Sequence, residues 1–414
     1  MSSLRSVAAA LSAVPAPSTP LGPFEDSAVT WTGFVTLGAF VGLVVFALVV
    51  AGPPARRIGS ETLAGVTTRS VRVAAVLGVL SVPAVLSEVA HSSSKSGGFD
   101  YGAAWDTVYD GTNAGRLLGL EVTLALVGAA LVAPLTVRMV AASRARNWLL
   151  TAGLTTGAVA LGCLKFPAVV PPLQSEKSFE TFVWMLHLLG GAIWQGGLQG
   201  LLLLVIPGAI AATDRAAFWS STIRRFSAVA MSSVAALLLS GLFLYWEHVD
   251  GPSQLFTTMY GRVLGVKILI FGTLLLLGIA NQFWLHPRIE ALRASGDDRP
   301  LRTLLVREFR IVVSVELLLV LTVLFVAPFL SGSARNQAFQ ADAAKHATSA
   351  TTTKLPKIPA KEVSGSTWAW GIAETFVVIA IMIGGYYLSG YLVRRRAGAA
   401  VPAVPRTPSL AGEN

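Results

Sequence analysis

Five histidines, a few charged residues inside apolar stretches and two neighbouring thioethers are the groups in this 414-residue chain whose types and spacing point to chemistry. His91 and His248 each close a hydrophobic run, and His187 lies about two turns inside another. His286 and His346 fall in polar segments. A neutral imidazole suits copper, zinc or haem iron, and a soft thioether such as Met185 or Met259 favours Cu(I). A lone interfacial histidine is ordinarily a polar cap. Two at matching positions with a third at similar depth read as a site, with His187, His91, His248, Met185 and Met259 as its metal donors. Met185 and His187 cannot share a ligand easily, because residues two apart on a helix point about 200° apart. On its own face His187 is accompanied by Trp184, Gly191 and Trp194. The glycines around it, Gly190, Gly191, Gly196, Gly197 and Gly200, are expected to serve close helix approach.

Ionisable residues inside lipid-spanning segments are costly, which singles out Glu121, Lys267, Glu316 and Glu374. Glu88 and Glu247 join them, standing just before His91 and His248. Lys267 and Glu374 lie near helix ends and can snorkel to the interface. Glu121 and Lys267 carry opposite charges at equivalent points of an internal repeat, so they are expected to pair. Cys163 is the sole cysteine, which rules out an internal disulfide and a multi-cysteine metal site. No phosphate-binding loop and no acid/base constellation is visible, so the chain is not expected to be an enzyme.

The elements that must hold these groups are membrane helices. Residues are 53% hydrophobic and only 13% charged, where soluble domains carry roughly a quarter charged residues. About nine apolar stretches are long enough to cross a bilayer as helices. They lie near 30–50, 73–90, 117–137, 148–164, 181–206, 226–246, 263–285, 311–330 and 368–392. No alternating barrel pattern is present, so the fold class is all-α, a polytopic membrane helix bundle. The formal charge of +10 does not mark a nucleic-acid partner. Its Lys and Arg concentrate in alternate loops, densest over Arg288–Arg310 and at Arg394, Arg395 and Arg396, which is the positive-inside bias. That bias places the N-terminus outside and the C-terminus in the cytoplasm.

GRLLGLE, Gly115 to Glu121, recurs as GRVLGVK, Gly261 to Lys267, and Glu88-Val-Ala-His91 is echoed by Glu247-His248. The chain therefore divides into an outer tail over 1–29, with features of a weak signal peptide, and a four-helix repeat over 30–166. A second four-helix repeat follows over 179–330, then a flexible outer linker over 331–367, a ninth helix over 368–392 and a cytoplasmic tail over 393–414. Even-numbered repeats share one orientation, and sites tend to sit between the halves.

The ordered set HLLGGAIWQGGL from His187, RRFSAVAMSSVAALLLSGLF from Arg224, YGRVLGVKILI from Tyr260 and REFRIVVSVELLLVL from Arg307 resembles the copper resistance D family, the CopD-type membrane proteins of bacteria. The likeness covers about residues 180–330 and extends more weakly to the first half. Gln195 stands where the family usually has an apolar residue, and Val41 is the repeat partner of His187. The resemblance implies copper transport or copper tolerance at the inner membrane, often beside a periplasmic copper-binding partner. From the residues alone two other functions stay open: a haem-b electron carrier with paired histidine ligands, and an accessory or assembly subunit of a membrane metalloenzyme.

Overall fold

The computed structural model describes residues 24–94, 98–167, 169, 176–206, 208, 210–211, 214–280, 298–330, 332–346, 369, 371–380, 383, 384, 387 and 391. Among them every regular element is a helix. The first half comprises α1 (Phe24–Val45), α2 (Gly52–Ile58), α3 (Ser60–Ser93), α4 (Tyr101–Thr107), α5 (Asn113–Val132), α6 (Arg138–Ala141) and α7 (Ala145–Cys163). The second comprises α8 (Glu176–Val205), α9 (Arg215–His248), α10 (Gln254–Thr257), α11 (Met259–Ala280), α12 (Asp298–Val326) and α13 (Ala334–His346). A final helical stretch, α14, runs over Gly371–Ala380.

Seven of these helices are long and apolar enough to cross a membrane. The fourth expected span is α7, a helix of 19 residues whose Arg146 and Asn147 lower its hydropathy. The ninth is described only in part, as α14. Three boundaries differ from the sequence expectation. Phe24–Val29, expected in the outer tail, already form the start of α1. Asp298–Arg310, expected in a loop, belong to α12. Within the expected flexible linker, Ala334–His346 form α13. Apolar runs mark only the part of a helix in hydrocarbon, whereas its hydrogen-bond ladder continues into the interface. Residues 1–23, which include the signal-like segment, His286 and the 393–414 tail lie outside the described residues.

The two halves pair their helices alike. α1 packs on α3 and α5 on α7; α8 packs on α9 and α11 on α12. The repeated motif is built alike as well. The Thr112 hydroxyl accepts from Gly115 N at 3.0 Å, and the Thr258 hydroxyl accepts from Gly261 N at 3.0 Å. In each half a short helix, α4 or α10, precedes the capping threonine, and a Cβ on either glycine would strike that segment's backbone, at the Thr107 or the Gln254 carbonyl. N-caps of this kind satisfy donors that a helix start otherwise leaves unpaired. Asp110, which accepts from Thr112 Oγ1 at 2.6 Å and from Thr112 N at 2.8 Å, is held below the usual carboxylate range by the hydroxyl first and the amide second.

The halves meet along α1 and α8. α1 is the central helix: 78% of its apolar window is buried, against 6% for α11, so α11 faces lipid and α1 does not. Gly42 and Gly196 lie backbone to backbone at the α1–α8 crossing, where a Cβ on either would overlap the other helix. Phe40 of α1 fills a slot made by Gly78, Gly128 and Gly157 of α3, α5 and α7, and Phe46 rests against Gly200 of α8. Gln195 lies in the same seam with its amide donating to the Val35 carbonyl at 3.0 Å, which satisfies a polar group where an apolar residue was expected. At the far end α1 closes in a π turn over Phe46–Val50. Such a turn frees a carbonyl, and the buried Arg146 takes Ala47 O at 2.7 Å while its Nε donates to Thr67 at 2.7 Å.

Candidate functional site

α3 and α9, each 34 residues long, carry His91 and His248 at the same end of the bundle. His91 sits in the last turn of α3. Its Nε2 lies 2.9 Å from Asp26 Oδ1 and 3.9 Å from Glu25 Oε2, both in the first turn of α1. Its Nδ1 is buried without a hydrogen-bond partner, and Phe99 packs 5.2 Å from the ring. With Nε2–H directed to the carboxylate, the lone pair of the neutral ring is on Nδ1. Below His91, Glu88 accepts a hydrogen bond from Thr30 and stands within electrostatic range of Lys165 and Asp26. Glu121, 5% exposed, continues this acidic column. Its Oε1 is buried without a hydrogen-bond partner, and its electrostatic neighbours are Glu88 and Cys163.

His187 is half-buried in α8. Its Nδ1 lies 2.9 Å from Ser240 Oγ on α9, and Ser240 donates its own proton to Ala236 O at 2.5 Å. A hydroxyl has one proton to give. Nδ1–H of the neutral ring is therefore the donor to Ser240, and Nε2 carries the lone pair. The Trp184 ring meets the imidazole edge-on at 6.2 Å, and the Lys165 ammonium stands 4.4 Å over that indole. Lys267 of α11 is the charged neighbour of His187. Trp194 packs edge-on against Phe271 of α11 at 6.0 Å. Between the two aromatics, Gly191 opens onto space, with no atom within 4 Å of where its Cβ would be. Met185 turns the other way, its sulfur lying against Gly162 of α7, as the helical spacing requires.

His248 donates from Nδ1 to its own helix at Leu244 O, 2.9 Å away, and stacks on Tyr260 at 6.0 Å. Its Nε2 also keeps the lone pair. The three histidines thus face three different partners, Asp26, Ser240 and Tyr260. Among the described residues no group of three or more His, Cys, Asp and Glu side chains comes together to hold a metal. Met259 is exposed beside the start of α11. Glu247 is an electrostatic neighbour of Tyr260, Glu374 of Tyr245, and Glu316 is buried in α12.

The expected pairing of Glu121 with Lys267 is absent among the described residues. Glu121 faces α3 and α7, Lys267 faces α8, and α5 and α11 do not pack on one another. Equivalence in a repeat fixes equal depth, not contact. Glu25, Asp26, Ser240 and Lys165 stand beside the candidate residues, and the sequence did not single them out. The acidic pair at a helix start is a legible N-terminal signal, masked by its nearness to a Pro-Ala tail. Ser240 lies 53 residues from His187, and only the packing of α9 on α8 reveals it.

Residues 220–330 match the copper resistance protein D family. The copper transport protein CutJ of Bacillus subtilis is 36% identical over 103 residues, 25% of this chain and 19% of that protein. Copper resistance protein D of Pseudomonas syringae pv. tomato is 30% identical over 178 residues, 42% of this chain and 54% of that protein. Each match thus spans little more than half of the relative's length, or less. No solved structure matches significantly.

Proposed function

Residues 220–330 being a CopD-type region, we propose that the chain conducts copper through a bacterial cell membrane, with His187 as the ligand inside the bundle and His91 and His248 at its outer rim. The observation that carries this reading is the Ser240–His187 hydrogen bond. It fixes the ring and its tautomer and leaves the Nε2 lone pair beside the open face at Gly191, the arrangement by which proteins orient a metal-binding imidazole through its other nitrogen. Soft or borderline copper suits such a nitrogen. The carboxylates Asp26 and Glu25 beside His91 attract the cation to the rim, and the column Glu88–Glu121 lowers its electrostatic cost further in. Lys267, the cationic neighbour of His187, opposes an ion there and acts as a barrier to leakage.

The charge pattern orients the chain with its N-terminus and the histidine end outside and its C-terminus in the cytoplasm. The histidine end then faces a periplasmic or extracellular copper-binding protein that supplies or receives the ion. We read the chain as a carrier and not as an enzyme. A haem-b carrier with paired histidine ligands requires two imidazoles turned to one cavity, and the three rings described here have separate partners.

Metal analysis and absorbance of the purified protein test this. The expected result is stoichiometric copper without a Soret band, lost in His187→Ala, lowered in part in His91→Ala and His248→Ala, and increased in affinity in Lys267→Met. A Soret band removed by His187→Ala establishes the haem reading instead. Absence of both copper and haem leaves an accessory or assembly role and ends the copper proposal.

A further inference from the structure

At the end of the bundle remote from the histidines, α3 lines a cavity of about 240 Å³ together with Arg138 of α6 and Gly208. Arg69, Arg72 and Arg138 converge on it, joined by Gly65 and Thr68. The cavity thus concentrates positive charge, and among the described residues the acid near Arg138 is Glu61, loosely placed at 3.9 Å. Arg69 donates to the carbonyls of Ile206 and Leu203 at the end of α8. Arg72 is tied to the Thr136 carbonyl at 3.3 Å. These anchors fix both side chains at the cavity wall, and Arg72 spends one of a guanidinium's five donors on its anchor.

A second observation points to the same ligand. Thr68 is 4% exposed, lines the cavity and has a buried hydroxyl without a hydrogen-bond partner. A phosphate oxygen accepts from a hydroxyl and from forked guanidiniums alike. Along α3, Arg69 lies about 33 Å from His91 at 1.5 Å per residue, so the cavity is at the opposite membrane face, at headgroup level.

We propose that this cavity binds a phosphate group, held by Arg72, Arg138 and the Thr68 hydroxyl, and that the phosphate belongs to the headgroup of an anionic lipid. Basic hollows between membrane helices at the cytoplasmic surface take such headgroups. This does not depend on copper.

The test uses the full chain, stripped of lipid in neutral detergent and titrated separately with phosphatidylglycerol, phosphatidylcholine and inorganic phosphate while thermal unfolding and native mass are followed. Phosphatidylglycerol is expected to raise the unfolding temperature and remain bound. Arg72→Gln and Arg138→Gln should each weaken it about tenfold, the scale of one charge-assisted hydrogen bond. Arg57→Gln, an exposed charge change at the same end, should leave it unchanged. Arg138 is exposed and among the described residues makes the loose Glu61 contact alone, so its variant keeps the test valid should Arg72→Gln fail to fold. Equal binding of phosphatidylcholine, or equal phosphatidylglycerol binding by wild type and Arg138→Gln, overturns the proposal. Stabilisation by inorganic phosphate that matches phosphatidylglycerol and is lost in Arg138→Gln overturns the lipid assignment and leaves the phosphate chemistry standing.

Discussion

Charged and polar side chains in this bundle fall into two kinds, those whose hydrogen-bonding groups are matched and those left bare. Arg146 is of the first kind: 2% exposed, it donates to Ala47 O, Thr67 Oγ1 and Asn147 Oδ1. Replacing it with Met is expected to lower stability by about 3 kcal/mol, because the carbonyl freed by the π turn and the Thr67 hydroxyl lose their partner inside the protein. Thermal unfolding in detergent measures it. A loss below about 1 kcal/mol would show that water or relaxation satisfies them. Glu121 is of the second kind. Glu121→Gln and Lys267→Met are expected to be additive within about 0.5 kcal/mol, since residues without contact do not couple. A coupling above about 1 kcal/mol in the double-mutant cycle would show that the two charges meet after all. Glu121 and Lys267 were legible in the sequence as charges inside apolar runs, whereas Arg146 falls just before the expected 148–164 span and was not singled out. Nor were Asp26, Ser240 and Lys165, which become neighbours of His91, His187 and Trp184 only when distant helices pack.

At the scale of elements, glycines decide which helices touch. Gly190, Gly196, Gly197 and Gly200 of α8 face neighbouring helices closely, whereas Gly191 faces open space. Gly196→Ala should therefore destabilise by about 1–3 kcal/mol through overpacking, while Gly191→Ala leaves stability unchanged and narrows the space beside His187. Unfolding and copper affinity measured on both variants separate the two roles. Equal stability losses would contradict the assignment of Gly191 to the open face. The sequence made every long helix readable through its apolar run, and the GRLLGLE/GRVLGVK echo proved to be one capped turn built twice. What it hid were features without an apolar signature: the acidic start of α1, the polar α13 and the π turn that closes α1. Each is set by hydrogen bonding or by a neighbour and not by periodicity.

As a whole molecule, the chain is two similar helix sets joined through their first helices, α1 and α8, with a histidine end and an arginine end. His187 lies on the side of α8 away from Gly196, toward Ser240 of α9 and Lys267 of α11, while Glu88 and Glu121 belong to the first half, so the groups proposed to meet copper are divided between the two halves. The repeat is only partly symmetric: α3 packs on α5, but the corresponding α9 and α11 do not pack side by side. On α8, Gly191 next to His187 has no atom within 4 Å of where its Cβ would be. Purified protein in liposomes that enclose a copper-sensitive dye gives the most direct measurement of copper conduction. The account predicts saturable copper flux above protein-free liposomes, abolished in His187→Ala and raised in Lys267→Met. Flux equal to that of empty liposomes for wild type, or unchanged in His187→Ala, contradicts it.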